Sequence, residues 1–134
     1  MNTFKLNLAT PDGVAFSGEA ASITVKTTAG DVQILASHAD YLAALGTGVA
    51  RLVLPDSTVK LASVSGGFIS CVGGEVNVVA TTVEFSDDID IARARAAKEK
   101  AERQISEAKD ERTLRLAKAK LTRALTRISA SGKK

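Results

Sequence analysis

The sequence has few of the residues that build metal centres, disulfides and stacking surfaces. Its 134 residues include one cysteine, one histidine, one tyrosine, four phenylalanines and no tryptophan. A single cysteine excludes a disulfide within the chain, and one cysteine with one histidine cannot complete a zinc site of the Cys/His kind. An enzyme with Cys71 as nucleophile and His38 as base has no supporting motif. Cys71 alternates with apolar residues, so we expect a small buried side chain.

Long apolar runs are also missing. No segment approaches the roughly 20 apolar residues that a membrane-spanning helix needs, and the first residues lack the basic and then apolar layout of a secretory signal. Apolar residues make up 45% of the chain, which is enough for a hydrophobic core. We therefore expect a folded, soluble, cytoplasmic protein.

Charge is distributed unevenly along the chain, although the net charge is only +3. Residues 1–86 carry four basic and seven acidic side chains, a net charge of −3. Residues 87–134 carry 14 basic and eight acidic side chains, a net charge of +6, and no acidic residue follows Glu111. The basic end is suited to an anionic partner.

Apolar residues recur with period two from Thr3 to about Thr82, which is typical of strands with one buried face. The alternation is clear in four stretches, Phe4–Leu8, Ile23–Val25, Val59–Leu61 and Val76–Val78. Gly73-Gly74 is the clearest hairpin turn, because glycine reaches the positive φ values that two-residue turns require. The pattern predicts eight to ten short strands over residues 1–85, and no helical stretch separates them as a parallel α/β fold would require.

The pattern changes after Phe85, and residues 86–134 are predicted to form a helical domain. Ser86, Asp87 and Asp88 offer capping oxygens, and no glycine or proline follows until Gly132. Two apolar stripes with helical spacing follow, Ile91, Ala94, Ala97, Ala101, Ile105 and Ala108, then Leu114, Ala117, Leu121, Leu125 and Ile128. A polar interval with Asp110 as a cap divides them, so we predict two antiparallel helices.

The predicted fold class is therefore α+β, with an N-terminal antiparallel β-sandwich and a C-terminal antiparallel two-helix hairpin. The first helical stripe is mostly alanine. A buried methyl group contributes about 0.8 kcal/mol, whereas ordering one residue costs about 1–2 kcal/mol, so closure of the hairpin should be nearly balanced. We predict a mobile hairpin on a stable β body.

The start of the first helix, Ile89–Ala94, has two interpretations. If Asp87 caps the helix, Asp90 lies at the third helical position, where a carboxylate stabilises the free amides. Arg93 then makes an ordinary i,i+3 pair with Asp90. In the second interpretation, the stretch is half of a binding site.

In layout, a strand-rich domain followed by a charged two-helix tail, the chain resembles the epsilon subunit of F-type ATP synthases. The resemblance covers the whole chain and is carried by the order and spacing of four stretches, Gly30–Ala39, Ser65–Phe68, Val78–Glu84 and Asp90–Ala94. The family usually has a proline on each side of its histidine, where this chain has Ala36 and Asp40, so the loop around His38 should be less rigid.

This resemblance implies a non-catalytic subunit of the rotor stalk, attached to the membrane only through its complex. It would lie at the cytoplasmic face of the inner membrane, or at the stromal face of the thylakoid in a plastid. The sandwich would contact the gamma subunit and the ring of c subunits, with Asp31 and His38 at those contacts; a local hydrogen bond is the alternative for His38. The extended helices would reach the alpha and beta subunits and inhibit ATP hydrolysis, with an attraction that salt weakens.

The resemblance also implies that ATP is a regulatory ligand, with no cofactor required, because several bacterial relatives bind ATP through a motif like Asp90–Ala94. The matching residues are Glu84, Asp90, Arg93, Ala94, Arg123 and Arg127. Arg123 and Arg127 are four residues apart and share a helix face, where their forked donors suit phosphate oxygens. Lys100 is a further basic position linked to the family. A solvated basic face is the alternative for the two arginines.

A basic helical module that binds nucleic acid is the alternative function. No phenylalanine or tyrosine lies after Phe85, so the tail has no aromatic side chain to stack on single strands. We therefore expect no nucleic-acid partner.

Overall fold

The computed structural model describes residues 2–132, so Met1, Lys133 and Lys134 of the two predicted domains lie outside the described residues. A short 3-10 turn, Ser86–Asp88, precedes the helices. The elements are β1 Phe4–Thr10, β2 Gly13–Ala20, β3 Ser22–Thr27, β4 Gly30–Leu35, β5 Tyr41–Ala44, β6 Gly48–Val53, β7 Val59–Ser65, β8 Phe68–Val72, β9 Glu75–Val79, β10 Thr82–Phe85, α1 Ile91–Glu107 and α2 Glu111–Ala130. The predicted α+β fold, a sandwich followed by two helices, is confirmed.

The strands form two five-stranded sheets around one core. Sheet I has the order β2-β1-β9-β8-β5, and sheet II has the order β10-β7-β6-β3-β4. The named strand pairs are antiparallel except β1 and β9, which run parallel with Leu6 opposite Val76. The expected antiparallel sandwich therefore contains one parallel pair, because the first strand lies between its hairpin partner β2 and the late strand β9.

Alternate strand residues point between the sheets and form the hydrophobic core. The largest fully buried side chains are Leu6, Ile23, Ile34, Ile69, Val25, Val76, Val78 and Cys71. The predicted alternation is confirmed in β1, β3 and β9. It is wrong for Val59 and Leu61, because Ala62 and Val64 are the core residues of β7 and Val59 is 45% exposed. A register that differs by one residue exchanges the two faces of a strand.

Glycine conformations are essential at two turns. The predicted hairpin at Gly73-Gly74 is confirmed, with φ of 61° and 80° between β8 and β9. Gly67 lies where the chain passes from sheet II to sheet I, and its φ is 101°. A Cβ atom on Gly67 would lie 1.8 Å from the carbonyl oxygen of Val79, so only glycine fits this crossing.

Both helices begin at an aspartate, but the first begins later than predicted. Asp90, rather than Asp87, is the N-cap of α1, and its Oδ1 accepts a hydrogen bond of 3.0 Å from the backbone N–H of Arg93. The prediction of an Asp87 cap is wrong because Asp87 is taken up in the preceding 3-10 turn. Asp110 caps α2 as predicted, with the N–H of Thr113 at 2.7 Å.

The two helices pack on each other and α2 also packs on sheet II. The buried residues of the described helices are Ala94, Ala101, Ala117, Ala124, Thr126 and Ala130. The predicted second stripe is therefore only partly correct, because Leu125 is 44% exposed and Ala124 takes its place. Ser63 of β7, on the face opposite the core, is buried because α2 lies against β6 and β7. The hairpin thus covers part of the outer face of sheet II.

Candidate functional site

A groove of about 260 Å³ lies between α1 and α2, and we call it the inter-helix groove. Its lining residues are Ala97, Lys100, Ala101, Gln104, Lys120, Arg123, Ala124 and Arg127. Ala101 and Ala124 are almost fully buried, so small methyl groups form its floor. Four basic side chains surround that floor. A concave site with apolar surface and several cations is suited to an anion that also has an apolar part.

Arg127 connects the inter-helix groove to the sandwich. Its Nε atom lies 3.2 Å from Oε1 of Glu84 on β10, one of the two edge strands of sheet II. Both side chains are partly exposed, at 40% for Arg127 and 35% for Glu84. Solvent screens such a pair, so it contributes about 0.2–1 kcal/mol to docking of the hairpin.

The six predicted ATP-binding residues are only partly brought together. Arg123 and Arg127 both line the inter-helix groove, and Glu84 joins them through its ion pair with Arg127. Asp90, Arg93 and Ala94 do not line it. Asp90 is occupied as the N-cap of α1, and Ala94 is buried. In this arrangement the start of α1 has ordinary helix-start chemistry, and the ATP-binding role of its residues stays a prediction.

Sequence reasoning missed three residues of the inter-helix groove, Gln104, Lys120 and Ala124. Lys120 precedes Arg123 by three residues and Arg127 by seven, so the helical period puts all three on one face of α2. Gln104 follows Lys100 by four residues on α1. The same spacing rule that grouped Arg123 with Arg127 would have found Lys120.

Asp31 and His38 lie at opposite ends of β4. Asp31 is the second residue of the strand, opposite Lys26, and it lines a cleft beside Thr126 of α2. His38 follows the strand, where its Nδ1 atom lies 2.7 Å from the carbonyl oxygen of Ala39 and its ring makes an edge contact with Tyr41. One loop does not hold both residues, because β4 runs from Gly30 to Leu35 and separates them. The local hydrogen bond expected as the alternative for His38 is present.

An exposed apolar row crosses all five strands of sheet I. Neighbouring strands pair these residues directly, in the order Ala44, Phe68, Val79, Ala9 and Val14. Phe68, Val79 and Val14 are 58%, 56% and 70% exposed. The row lies on the face opposite the core, since the preceding residues Leu8 and Val78 are buried. A contiguous apolar surface of this kind indicates a protein interface.

The next row on the same face is polar on β2, β1, β9 and β8 and ends in the exposed Leu42 on β5. The Asn7 side-chain amide donates to Asn77 Oδ1 at 3.2 Å, and Ser17 Oγ donates to Asn7 Oδ1 at 2.8 Å. These bonds cross β2, β1 and β9, and they hold the three strands in register beside the apolar row. The outer face of sheet I is thus a rigid surface with an apolar band at the end of the sheet away from Gly73-Gly74.

In the described part of the chain, Cys71 and the His38 imidazole are not joined as a nucleophile and its base. Cys71 is buried as predicted, and burial, with a smaller contribution from the Asp40 carboxylate, raises the pKa of its thiol. The Cys71 thiol donates a hydrogen bond to the backbone carbonyl oxygen of His38, with Sγ at 3.8 Å from that oxygen. The partner is therefore the backbone of His38 and not its imidazole ring. Within residues 2–132, no group of three metal-binding side chains occurs, and neither helix combines the length and apolarity needed to cross a membrane.

Known families match both parts of the chain. The family described as ATP synthase, Delta/Epsilon chain, beta-sandwich domain matches residues 3–86. The family described as ATP synthase, Delta/Epsilon chain, long alpha-helix domain matches residues 87–132. The two matches meet between Ser86 and Asp87, next to the end of β10.

Individual relatives agree with the family matches. The ATP synthase epsilon chain of Halalkalibacterium halodurans is 39% identical over 134 residues, which cover 99% of this chain and 100% of the relative. That of Bacillus pumilus is 36% identical over 133 residues, with 99% and 100% covered. A chain in the cryo-EM structure of the Euglena gracilis mitochondrial ATP synthase has the same fold, with a TM-score of 0.85 at 22% identity over 96% of this chain and 81% of that chain. The predicted resemblance is confirmed, and the chain belongs to the ATP synthase delta/epsilon family.

Proposed function

We propose that this chain couples the gamma subunit to the c-ring in the rotor stalk of an F-type ATP synthase. In this role it does no chemistry itself. It is peripheral to the membrane, bound through the c-ring at the cytoplasmic face of the inner membrane, or at the stromal face of the thylakoid in a plastid. Its helical hairpin inhibits ATP hydrolysis by reaching the alpha and beta subunits.

The apolar row on sheet I is the observation that carries the coupling role, and we assign it to gamma. A rotor part that transmits torque needs a contact that is both rigid and largely desolvated. Phe68 and Val79 provide apolar area, and they lie on strands held by a continuous hydrogen-bonded ladder. Interfaces with an apolar centre and a polar border are typical of stable assemblies. The polar row of Asn7 and Asn77 provides part of that border.

Binding to purified gamma tests this assignment. The double substitution Phe68→Ser with Val79→Ser should weaken binding by at least tenfold, because it removes the centre of the apolar row. Val72→Ser is the matched control, since Val72 lies on β8, is 65% exposed and is outside the row. Equal losses in the two variants would contradict the assignment.

Contacts with gamma or the c-ring are proposed for Asp31 and His38, as the resemblance implies. The four steps of extended strand from Asp31 to Leu35 span about 13 Å at 3.3 Å per residue. A turn closed by the hydrogen bond from the His38 N–H to the Leu35 carbonyl oxygen follows the strand, so Asp31 and His38 lie at opposite ends of β4. In the assembled motor, Asp31→Ala and His38→Ala should weaken contacts with different partner subunits. Cross-linking from a cysteine at either position would identify each partner.

Inhibition is assigned to the hairpin because of its charge and its packing. No acidic residue follows Glu111, so α2 presents a basic surface to any acidic segment of a catalytic subunit. The hairpin is held by alanine contacts and a surface ion pair, so it can leave the sandwich at low energetic cost. Deleting residues 87–134 should raise ATP hydrolysis by the assembled motor. Unchanged hydrolysis would mean that the hairpin inhibits nothing.

We assign the inter-helix groove to ATP, which would stabilise the folded hairpin. Binding to the folded state alone adds about 2.7 kcal/mol when the ligand is at 100 times its Kd. ATP should therefore raise the Tm of the isolated chain, and Arg123→Ala with Arg127→Ala should remove the rise. Absence of a rise in the parent chain would exclude ATP sensing by the isolated subunit.

A further inference from the structure

We propose that Lys120 binds the terminal phosphate of a linear phosphate chain in the inter-helix groove, together with Lys100 and Arg123. This subsite lies up to two helical turns further along the groove than Arg127, and none of the predicted ATP-binding residues except Arg123 belongs to it. The inference rests on the proposed anion-binding role of the groove. It adds a residue and an orientation to that role.

The position of Lys120 is the first reason. The inter-helix groove continues into a second groove of about 300 Å³, which is lined by Gln104, Glu107, Thr113, Leu116, Ala117 and Lys120. Gln104 and Lys120 line both grooves. Lys120 therefore lies at the junction, where an extended ligand lying along the helices must pass. Along the axis of α2 it is about 4.5 Å from Arg123 and about 10.5 Å from Arg127 at 1.5 Å per residue.

The availability of its charge is the second reason. Arg127 is already paired with Glu84. In the described part of the chain, no carboxylate lies within salt-bridge distance of Lys100, Lys120 or Arg123. Three cations that line one cleft without a counter-charge repel each other, and an anion between them removes that repulsion. The strongest attraction for phosphate is therefore centred on these three residues.

The acidic residues at the two ends of the grooves determine the orientation. Glu84 stands beside Arg127 at the sandwich end, and Glu107 lines the far groove. Both carboxylates repel phosphate and confine it to the interval between them. Glu84 can instead accept a hydrogen bond from an uncharged hydroxyl or amino group. The phosphate chain would thus point away from the sandwich, and the remainder of a nucleotide would extend towards Glu84.

The proposed ligand contains a chain of three phosphates. Both a nucleoside triphosphate and free tripolyphosphate contain such a chain. Calorimetric titration of the full chain with ATP, ADP and sodium tripolyphosphate at one fixed ionic strength separates these sources. Lys120→Gln should weaken ATP and tripolyphosphate binding about fivefold, the effect of one partly exposed charge contact. It should weaken ADP binding less than about twofold, because ADP lacks the third phosphate.

Lys118→Gln is the matched control, because Lys118 is exposed on the same helix, carries the same charge and lines neither groove. It should leave all three affinities unchanged. Both substitutions are at exposed positions, and equal circular dichroism of the variants checks that α2 is intact. A loss of ATP affinity in Lys120→Gln no larger than in Lys118→Gln would overturn the proposal for Lys120 while ATP sensing stands. If the parent chain binds tripolyphosphate but not ATP, the subsite stands and nucleotide sensing falls. If it binds neither, both fall.

Discussion

The sandwich and the hairpin bury side chains of very different size. In the sandwich, Leu6, Ile23 and Ile34 are among the fully buried residues, and each such side chain contributes about 1.5–3 kcal/mol. In the described helices the buried residues are alanines and Thr126, and an alanine methyl contributes about 0.8 kcal/mol. The sandwich is therefore stabilised by its own core, whereas the hairpin depends on contacts between small side chains, on the docking of α2 and on the Glu84–Arg127 pair.

This difference in the size of the buried side chains suits a sandwich that stays fixed and a hairpin that moves. The core of the sandwich lies between two sheets joined by turns, so loosening one strand exposes large apolar surfaces. The hairpin is attached through one turn at Ser86–Asp88, the Glu84–Arg127 pair and the contact of α2 with β6 and β7. The buried side chains of the hairpin that its release exposes are alanines and Thr126, and the larger Ile91, Ile105, Leu114, Leu121 and Ile128 are already partly exposed.

The largest effect is expected at the crossing between the sheets. Gly67→Ala should destabilise the sandwich by about 4 kcal/mol or more, because the added Cβ would overlap the Val79 carbonyl oxygen and no side chain can move to relieve the overlap. Gly73→Ala is the control, since no atom lies within 4 Å of its added Cβ. It should cost about 1–2 kcal/mol for the positive φ alone. Urea unfolding of both variants measures the difference.

A pair of small deletions compares the two cores directly. Ile34→Ala should cost about 2–5 kcal/mol, because Ile34 is fully buried between the sheets. Ala101→Gly should cost about 2 kcal/mol, of which about 1 kcal/mol is the difference in helix propensity and about 0.8 kcal/mol is the buried methyl group. In Ala101→Gly, faster amide hydrogen exchange should be confined to residues 91–130. Faster exchange of the core strands in Ala101→Gly would show that the two regions unfold together.

Removing the hairpin altogether tests whether the sandwich is independent. A chain that ends after Asp88 should remain folded, because it loses the Glu84 pair, worth about 0.2–1 kcal/mol, and the contact of α2 with β6 and β7 but keeps the whole core between the sheets. Thermal unfolding followed by circular dichroism measures this loss. A fragment without a cooperative transition would contradict the division into a stable body and a dependent hairpin.

The ion pair should contribute less still. A double-mutant cycle with Glu84→Gln and Arg127→Gln should give a coupling energy of about 0.2–1 kcal/mol, because both side chains are partly exposed. High salt should reduce that coupling, since the pair lies within reach of screening ions. A coupling that is the same at 0.05 M and about 0.5 M salt would mean that packing, not charge, joins these residues.

The smallest effect is expected at the start of α2. Hydrogen bonds from the backbone N–H and the side chain of Thr113 hold the pKa of the Asp110 carboxyl below its usual value. A lowered pKa in the folded state stabilises the cap above the pKa of the unfolded chain, and this stabilisation is lost as the pH falls through the folded pKa. The Thr113 amide signal should therefore shift only at acidic pH, below about 4. In Asp110→Asn, which keeps an acceptor oxygen, the shift should disappear.

The sequence predicted local features well and relations between distant strands poorly. The alternation around Leu6, the Gly73-Gly74 turn and the Asp110 cap depend on neighbouring residues, and all are present. The prediction that Asp87 caps α1 was wrong because Asp87 and Asp90 offer equivalent carboxylate oxygens. The 3-10 turn at Ser86–Asp88 decides between them. Val59 and Leu125 were assigned to buried faces because both have apolar neighbours at the right spacing.

The candidate surfaces show the same limit. Arg123 and Arg127 could be grouped by helical spacing, and they do share a groove. The pair of Glu84 with Arg127 joins an edge strand to a helix, and no local rule predicts it from the residues alone. The apolar row could not be found from sequence either, because it depends on the order of five strands and on the register of each pair. Phe68 and Val79 look like ordinary core residues until that register is known.

The parallel pairing of β1 with β9 has a consequence for how the chain is made. The first strand cannot gain its second neighbour until residue 79 has left the ribosome, so sheet I closes late and through a contact distant in sequence. Contacts between residues distant in sequence slow folding, because closing the long intervening segment costs conformational entropy before the strand pairing lowers the free energy. By then the helices, whose backbone hydrogen bonds are local, are the next residues to emerge. Their docking on β6 and β7 should thus wait for a sandwich that closes through a contact distant in sequence.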